Sequence, residues 1–147
     1  MADQASQSVT IAAPPEQCFS VATDFAHYPE WAKDVKEATV VSRDPEGRAT
    51  EVEFRTSALG RSTHYTLRYD YTGAPRTMSW EMVKGDIMRS IDGAYSFAPS
   101  TAVPGGTDVT YHLVIELVVP LPGFVKRRAE VRILNSVREL KARVEQK

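Results

Sequence analysis

The sequence predicts an α+β fold: a curved seven-stranded antiparallel sheet wrapped around a long C-terminal helix, with two short helices between strands 1 and 2. Three observations predict it. A single strand pattern is followed by two helical patterns. Next, a period-two alternation runs from Val35 to Pro120 and is broken five times by turn chemistry. Finally, Phe124 to about Glu145 contains no glycine or proline to interrupt a helix.

Ser6 to Ala12 alternates through Val9 and Ile11 as a strand does, and Pro14-Pro15-Glu16 opens a helix, because proline and an acidic residue suit a first turn. That helix carries Cys18, Phe19 and Ala22 at helical spacing and stops near Asp24. Phe25, Tyr28, Pro29 and Trp31 then give a second short helix an aromatic face. The five turns of the meander are Asp44-Pro45-Glu46-Gly47, Leu59-Gly60, Gly73-Ala74-Pro75, Lys84-Gly85-Asp86 and Pro104-Gly105-Gly106.

Side chains on a strand alternate between faces, so the inner face is readable by parity. It takes Val52, Phe54 and Thr56, then Tyr65, Leu67, Tyr69 and Tyr71, then Met78, Trp80 and Met82. Ile91, Gly93, Tyr95 and Phe97 follow, then Val109, Tyr111, Leu113, Ile115 and Leu117. Pro120-Leu121-Pro122-Gly123 ends the extended structure. The following helix presents Ala129, Ile133, Val137, Leu140 and Val144 as its buried arc. A helix of that length reaches roughly 30 Å, enough to lie across a sheet that must curl as its strands twist.

Composition narrows the function. The chain has 147 residues, 42% hydrophobic and 25% charged, with net charge -1. That is one domain, residues 1–147, with no overall field to gather nucleic acid. One cysteine, Cys18, allows no intrachain disulfide and no paired-cysteine metal site. The opening MADQASQSVT has neither the basic nor the apolar stretch of an export signal, and no run is long enough to span a membrane, so a cytoplasmic location is expected.

Four segments resemble a known family. They are Ile11-Ala12-Ala13-Pro14-Pro15-Glu16, Asp24-Phe25-Ala26-His27-Tyr28-Pro29-Glu30-Trp31, Asp92-Gly93-Ala94-Tyr95 with Gly105-Gly106-Thr107, and Pro120-Leu121-Pro122-Gly123-Phe124. In this order they resemble the START-like helix-grip superfamily, also called SRPBCC, in its polyketide cyclase/dehydrase and coenzyme-Q-binding branch. The resemblance covers almost the whole chain and implies a cavity between sheet and C-terminal helix that takes lipids, quinones or polyketide-like molecules.

The candidate ligand-binding residues are Trp31, Phe54, Tyr65, Leu67, Tyr69, Trp80, Met82, Arg89, Tyr95, Tyr111, Leu113 and Ile133. Aromatic rings supply apolar area and tyrosine hydroxyls supply orienting hydrogen bonds. The same rings would serve as plain core if no cavity exists. Arg89 shares parity with Ile91, which places its guanidinium on the inner face to clamp a carboxylate or phosphate, unless a bulge intervenes or it pairs with Glu130.

No catalytic residue, metal ligand or cofactor site is assigned. His64 and His112 fall on the outer parity, His27 sits in a helical connection, and Asp70, Glu81 and Glu116 face solvent. Three functions remain: binding or carriage of a hydrophobic small molecule, a polyketide cyclase or dehydratase using the same cavity, and a protein-interaction module. The third would act through Phe124–Lys147, whose eight basic and three acidic residues give +5 against -6 elsewhere. Such a helix could also make peripheral contact with anionic lipid or an acidic partner.

Overall fold

The computed structural model describes residues 3–58, 61–86, 88–117, 127–128, 131 and 133–146. Strand β1 (Asp3–Ile11) leads into helix α1 (Pro15–Ala22) and a 3₁₀ helix (Phe25–Glu30). There follow β2 (Val35–Arg43), β3 (Ala49–Ala58), β4 (Arg61–Asp70), β5 (Thr77–Gly85), β6 (Met88–Pro99) and β7 (Thr107–Leu117). The chain closes with helix α2 (Ser136–Glu145). All neighbours in the sheet are antiparallel, in the order β1-β7-β6-β5-β4-β3-β2, so β1 returns to pair with β7 and leaves β2 at the far edge. The expected strand, two short helices, six-strand meander and terminal helix are all present.

Local chemistry explains each junction. Pro15 sits in the first turn of α1 with Glu16 beside it, where a missing N–H costs nothing and a negative charge meets the helix dipole. Thr23 ends α1 by donating its hydroxyl to the Phe19 carbonyl at 2.9 Å. In the β2–β3 turn Asp44 accepts from the backbone N–H groups of Glu46 and Arg48 and from the Arg48 guanidinium, while Gly47 takes φ +85°. That conformation is open to glycine at little cost.

One difference from the expected helix is a turn. Residues 127–128, 131 and 133–134 are helical, but Asn135 stands in a turn before α2 begins at Ser136. Asn135 still bonds back to the Val131 carbonyl at 2.9 Å, so the two segments stay connected through the backbone. The buried arc of Val137, Leu140 and Val144 is as expected and gains Leu134, whereas Ala129 lies outside the described residues.

Helix α2 is tied down on two sides. Lys141 donates to the Thr10 carbonyl at 2.8 Å and Glu145 accepts from the Ala12 N–H at 2.9 Å, fixing it to β1. On the other side Arg143 meets Glu30 at 2.9 Å and Glu139 accepts from the Lys33 N–H at 3.0 Å. Next to the Glu145 contact, the buried Thr107 hydroxyl donates to the Ala13 carbonyl at 2.6 Å and joins β7 to the start of α1.

The concave face is a continuous aromatic chain. Ring centroids lie 4.8 Å apart for Tyr28 and Trp31, 5.6 Å for Phe54 and Tyr65, 5.7 Å for Tyr69 and Trp80, and 4.9 Å for Tyr95 and Tyr111. Such spacings favour tilted and edge-on packing over flat stacking. Trp80 pairs across strands with Gly93, and its indole occupies the space a side chain there would need.

A Cβ at residue 93 would come 2.5 Å from the His112 carbonyl oxygen and 2.7 Å from the Trp80 ring. Gly93→Ala is therefore expected to destabilise the fold by about 1–3 kcal/mol through overpacking. Denaturant unfolding followed by tryptophan fluorescence checks this; an unchanged midpoint would mean that Trp80 does not rest on β6 as described.

Candidate ligand-binding cavity

Between the concave face and the C-terminal helical residues lies a cavity of about 110 Å³. Its inner end is formed by buried side chains: Tyr69 of β4, Trp80 of β5, Ile91 and Tyr95 of β6, Tyr111 of β7, Phe54 of β3 and Tyr28 of the 3₁₀ helix. Its outer end is formed by half-buried ones: Trp31, Asp34 and Val35 after the 3₁₀ helix, Ser57 and Tyr65 at the β3–β4 hairpin, and Ile133, Ser136 and Glu139. The graded exposure defines a floor on the sheet and a mouth between residues 31–35 and the helix.

Eight of the twelve sequence-predicted residues line this cavity: Trp31, Phe54, Tyr65, Tyr69, Trp80, Tyr95, Tyr111 and Ile133. Leu67, Met82 and Leu113 do not. Leu67 sits between Tyr65 and Tyr69 on β4, and those longer rings reach the cavity in its place; it is buried against Val52 and Met82. Met82 adjoins a bulge at Val83, where the β4–β5 register shifts, and it is packed only partly against the core. Leu113 pairs with Gly93 beside the indole of Trp80 and is a core residue.

Arg89 is the substantive correction. It does not face the cavity; its side chain is 63% exposed and meets Glu116 on the outer face at 3.4 Å. The reason is a bulge. Met88 pairs with Leu117 and Ser90 with Glu116, so Arg89 is an extra residue and the parity counted back from Ile91 fails there. The expected alternative partner, Glu130, lies outside the described residues.

The polar groups of the wall were less legible. Thr56 follows Val52 and Phe54 by parity, and Ser136 lies three residues beyond Ile133 on the same helix face, so periodicity alone could have found both. Asp34 sits in a connection with no period, Ser57 has the opposite parity to Thr56 on β3, and Glu139 is placed by its bond to Lys33. Among the described lining residues there is no lysine, arginine or histidine, so the charges on the wall are carboxylates.

Five of the six tyrosines of the chain line the cavity, and burial keeps their hydroxyls protonated. Desolvation pushes Tyr65 up to about 12, with Thr56 hydrogen bonding offsetting part of it. It raises Tyr95 too, here offset by Ser136, and holds Tyr28, Tyr69 and Tyr111 well above the ordinary value. The sixth, Tyr71, outside the cavity, is also pushed to about 12 by burial while its hydroxyl donates to the Ala49 carbonyl at 2.5 Å. Phenols of this kind donate hydrogen bonds but do not serve as bases near neutrality.

Residues 2–145 match the sequence profile of the family described as polyketide cyclase / dehydrase and lipid transport. The chain belongs to this family. The START-like superfamily fold agrees with it. A START superfamily protein from Mycobacterium smegmatis superposes with a TM-score of 0.88 at 26% identity, covering 97% of each chain. The Zhui aromatase/cyclase from Streptomyces sp. R1128 superposes at 0.78 with 15% identity, over 99% of this chain and 94% of its own. Ginseng major latex-like protein 151 from Panax ginseng does so at 0.71 with 11% identity, over 99% of each. The last two likenesses concern the fold alone. No curated protein matches the sequence significantly.

A tyrosine whose folded pKa is raised contributes stability that is complete below its unfolded value of about 10 and is lost as pH climbs toward the folded one. The unfolding free energy is therefore expected to stay level through neutrality and to fall steeply above pH 10. The tyrosinate absorbance band should then appear together with the loss of circular dichroism. Tyrosinate forming near pH 10 in the folded protein would contradict the buried hydroxyls.

Proposed function

We propose that this protein binds or carries a hydrophobic small molecule, lipid-, quinone- or polyketide-like, whose ring or apolar head occupies the cavity. The observation that carries the reading is the lining itself: eight aromatic rings around unfilled space, graded from a buried floor to a half-exposed mouth. A space of about 110 Å³ is below the roughly 300–1,000 Å³ of a pocket for a drug-sized ligand. It suits a head of one ring, with the rest of the molecule running out past Trp31 and Ile133. At about 25 cal/mol per Å² of apolar surface, burial of such a head together with the chain that follows it supports micromolar affinity after association costs.

A cyclase or dehydratase reading draws on Asp34 and Glu139, carboxylates on the wall near the mouth that could accept a proton from a bound ligand. The interaction-module reading meets an unfilled cavity. It requires a cavity filled by side chains, and α2 spends Lys141, Arg143, Glu139 and Glu145 on contacts within the chain. Among the described residues no helix is long and apolar enough to cross a membrane, and no three His, Cys, Asp or Glu side chains converge as metal ligands.

Native mass spectrometry of the protein purified from its host, followed by extraction, should reveal an apolar adduct. Ile133→Trp, at the mouth, should fill the cavity and weaken binding of that molecule at least tenfold, with the melting temperature of the unliganded protein little changed. Unaltered affinity in this variant would place the ligand elsewhere. If Asp34→Asn with Glu139→Gln retains affinity but abolishes turnover of a poly-β-ketone chain, the enzyme reading replaces the carrier one.

A further inference from the structure

The hydroxyls on the cavity floor are not equivalent. Tyr28 donates to the Ala22 carbonyl, while Tyr65 has the Thr56 side chain beside it and Tyr95 that of Ser136. Among the described residues Tyr69 and Tyr111 have no such partner, although they are only 7% and 6% exposed. Every fully enclosed side-chain oxygen or nitrogen among the described residues does have one. The two unmatched hydroxyls therefore open onto the cavity that both residues line. They reach it from β4 and β7, on opposite sides of Trp80, whose ring centroid lies 5.7 Å from that of Tyr69 and 5.5 Å from that of Tyr111.

An unpaired hydroxyl in a desolvated site is costly until a ligand satisfies it. Protonated phenols offer donors, which suit an oxygen acceptor. No cation among the described lining residues would compensate a ligand carboxylate, and Asp34 and Glu139 on the wall would repel one.

We propose that Tyr69 and Tyr111 are the specificity-determining residues of this cavity, donating hydrogen bonds to a neutral carbonyl oxygen of a ring ligand and so selecting ketones and quinones over hydrocarbons and fatty-acid anions. The inference rests on the binding reading above. It goes further by naming the polar group of the ligand and the two side chains that read it.

Three matched bicyclic probes test it by calorimetry and tryptophan quenching: tetralin, 1-tetralone and tetralin-1-carboxylate. The expected order is tetralone tightest, about tenfold over tetralin, with the carboxylate weakest, since each added hydrogen bond contributes about fivefold or less. Tyr69→Phe and Tyr111→Phe remove one oxygen each from a site where it bonds to no described residue, so both variants should fold as the parent does, judged by circular dichroism. Each should lower tetralone affinity about fivefold and leave tetralin unchanged. Tyr71→Phe, whose hydroxyl bonds to the Ala49 carbonyl outside the cavity, should not alter the preference.

If tetralin and tetralone bind equally, or if the two variants weaken both probes alike, the specificity proposal fails while the cavity reading stands. Tighter binding of the carboxylate would also overturn it. Binding of none of the three would sink the cavity reading and the proposal with it.

Discussion

The cavity depends on the way Trp80 crosses β6 at Gly93. An indole is too large to sit beside another inward side chain in the same cross-strand position, so the absence of a Cβ at residue 93 lets it lie across the β6 backbone there. From there its ring meets Tyr69, Tyr95 and Tyr111 at centroid distances between 5.4 and 5.7 Å. Tyr95 and Tyr111 pack against each other as well. The floor is thus a group of rings braced by one another and by β6, and it is rigid for the same reason that it is aromatic.

The C-terminal helix does not sink into this floor because it is held from its two sides. Val137, Leu140 and Val144 bury completely or nearly so, while Lys141 and Glu145 fix one flank to β1 and Glu139 and Arg143 fix the other to residues 30–33. These contacts set a spacing that side chains alone would close, since apolar cores otherwise pack to crystal-like density. The space left over is the cavity, and its mouth lies beside the bond from the Lys33 N–H to Glu139. The cavity lining and the helix attachment therefore share Glu139. Movement of the helix away from residues 31–35 would both enlarge the cavity and release that carboxylate.

Its electrostatics follow from the same geometry. Five phenols held protonated by desolvation line the wall, and with no cation among the described lining residues its charges are the carboxylates of Asp34 and Glu139. Arg89, the one guanidinium that parity had aimed inward, would have placed a cation among them. Its bulge turns it to Glu116 outside, and the described lining is left without a cation.

What the sequence by itself determined is what depends on short-range periodicity and turn chemistry. The seven strands, the order of elements, the aromatic inner face and eight of the cavity residues follow from period two, from period 3.6 and from where glycine and proline stop them. The four family segments, read together, pointed to the superfamily as well. Tertiary structure alone decided three things. A bulge inserts a residue without altering composition, so Arg89 and the surroundings of Met82 could not be placed by counting. Residues equal in parity differ in reach, so Leu67 and Leu113 became core while the rings beside them met the cavity. Whether packed aromatics enclose space at all depends on how far a helix is held from a sheet. That distance is fixed by bonds such as Glu139 to Lys33, between residues more than a hundred positions apart, and no local pattern in the chain encodes it.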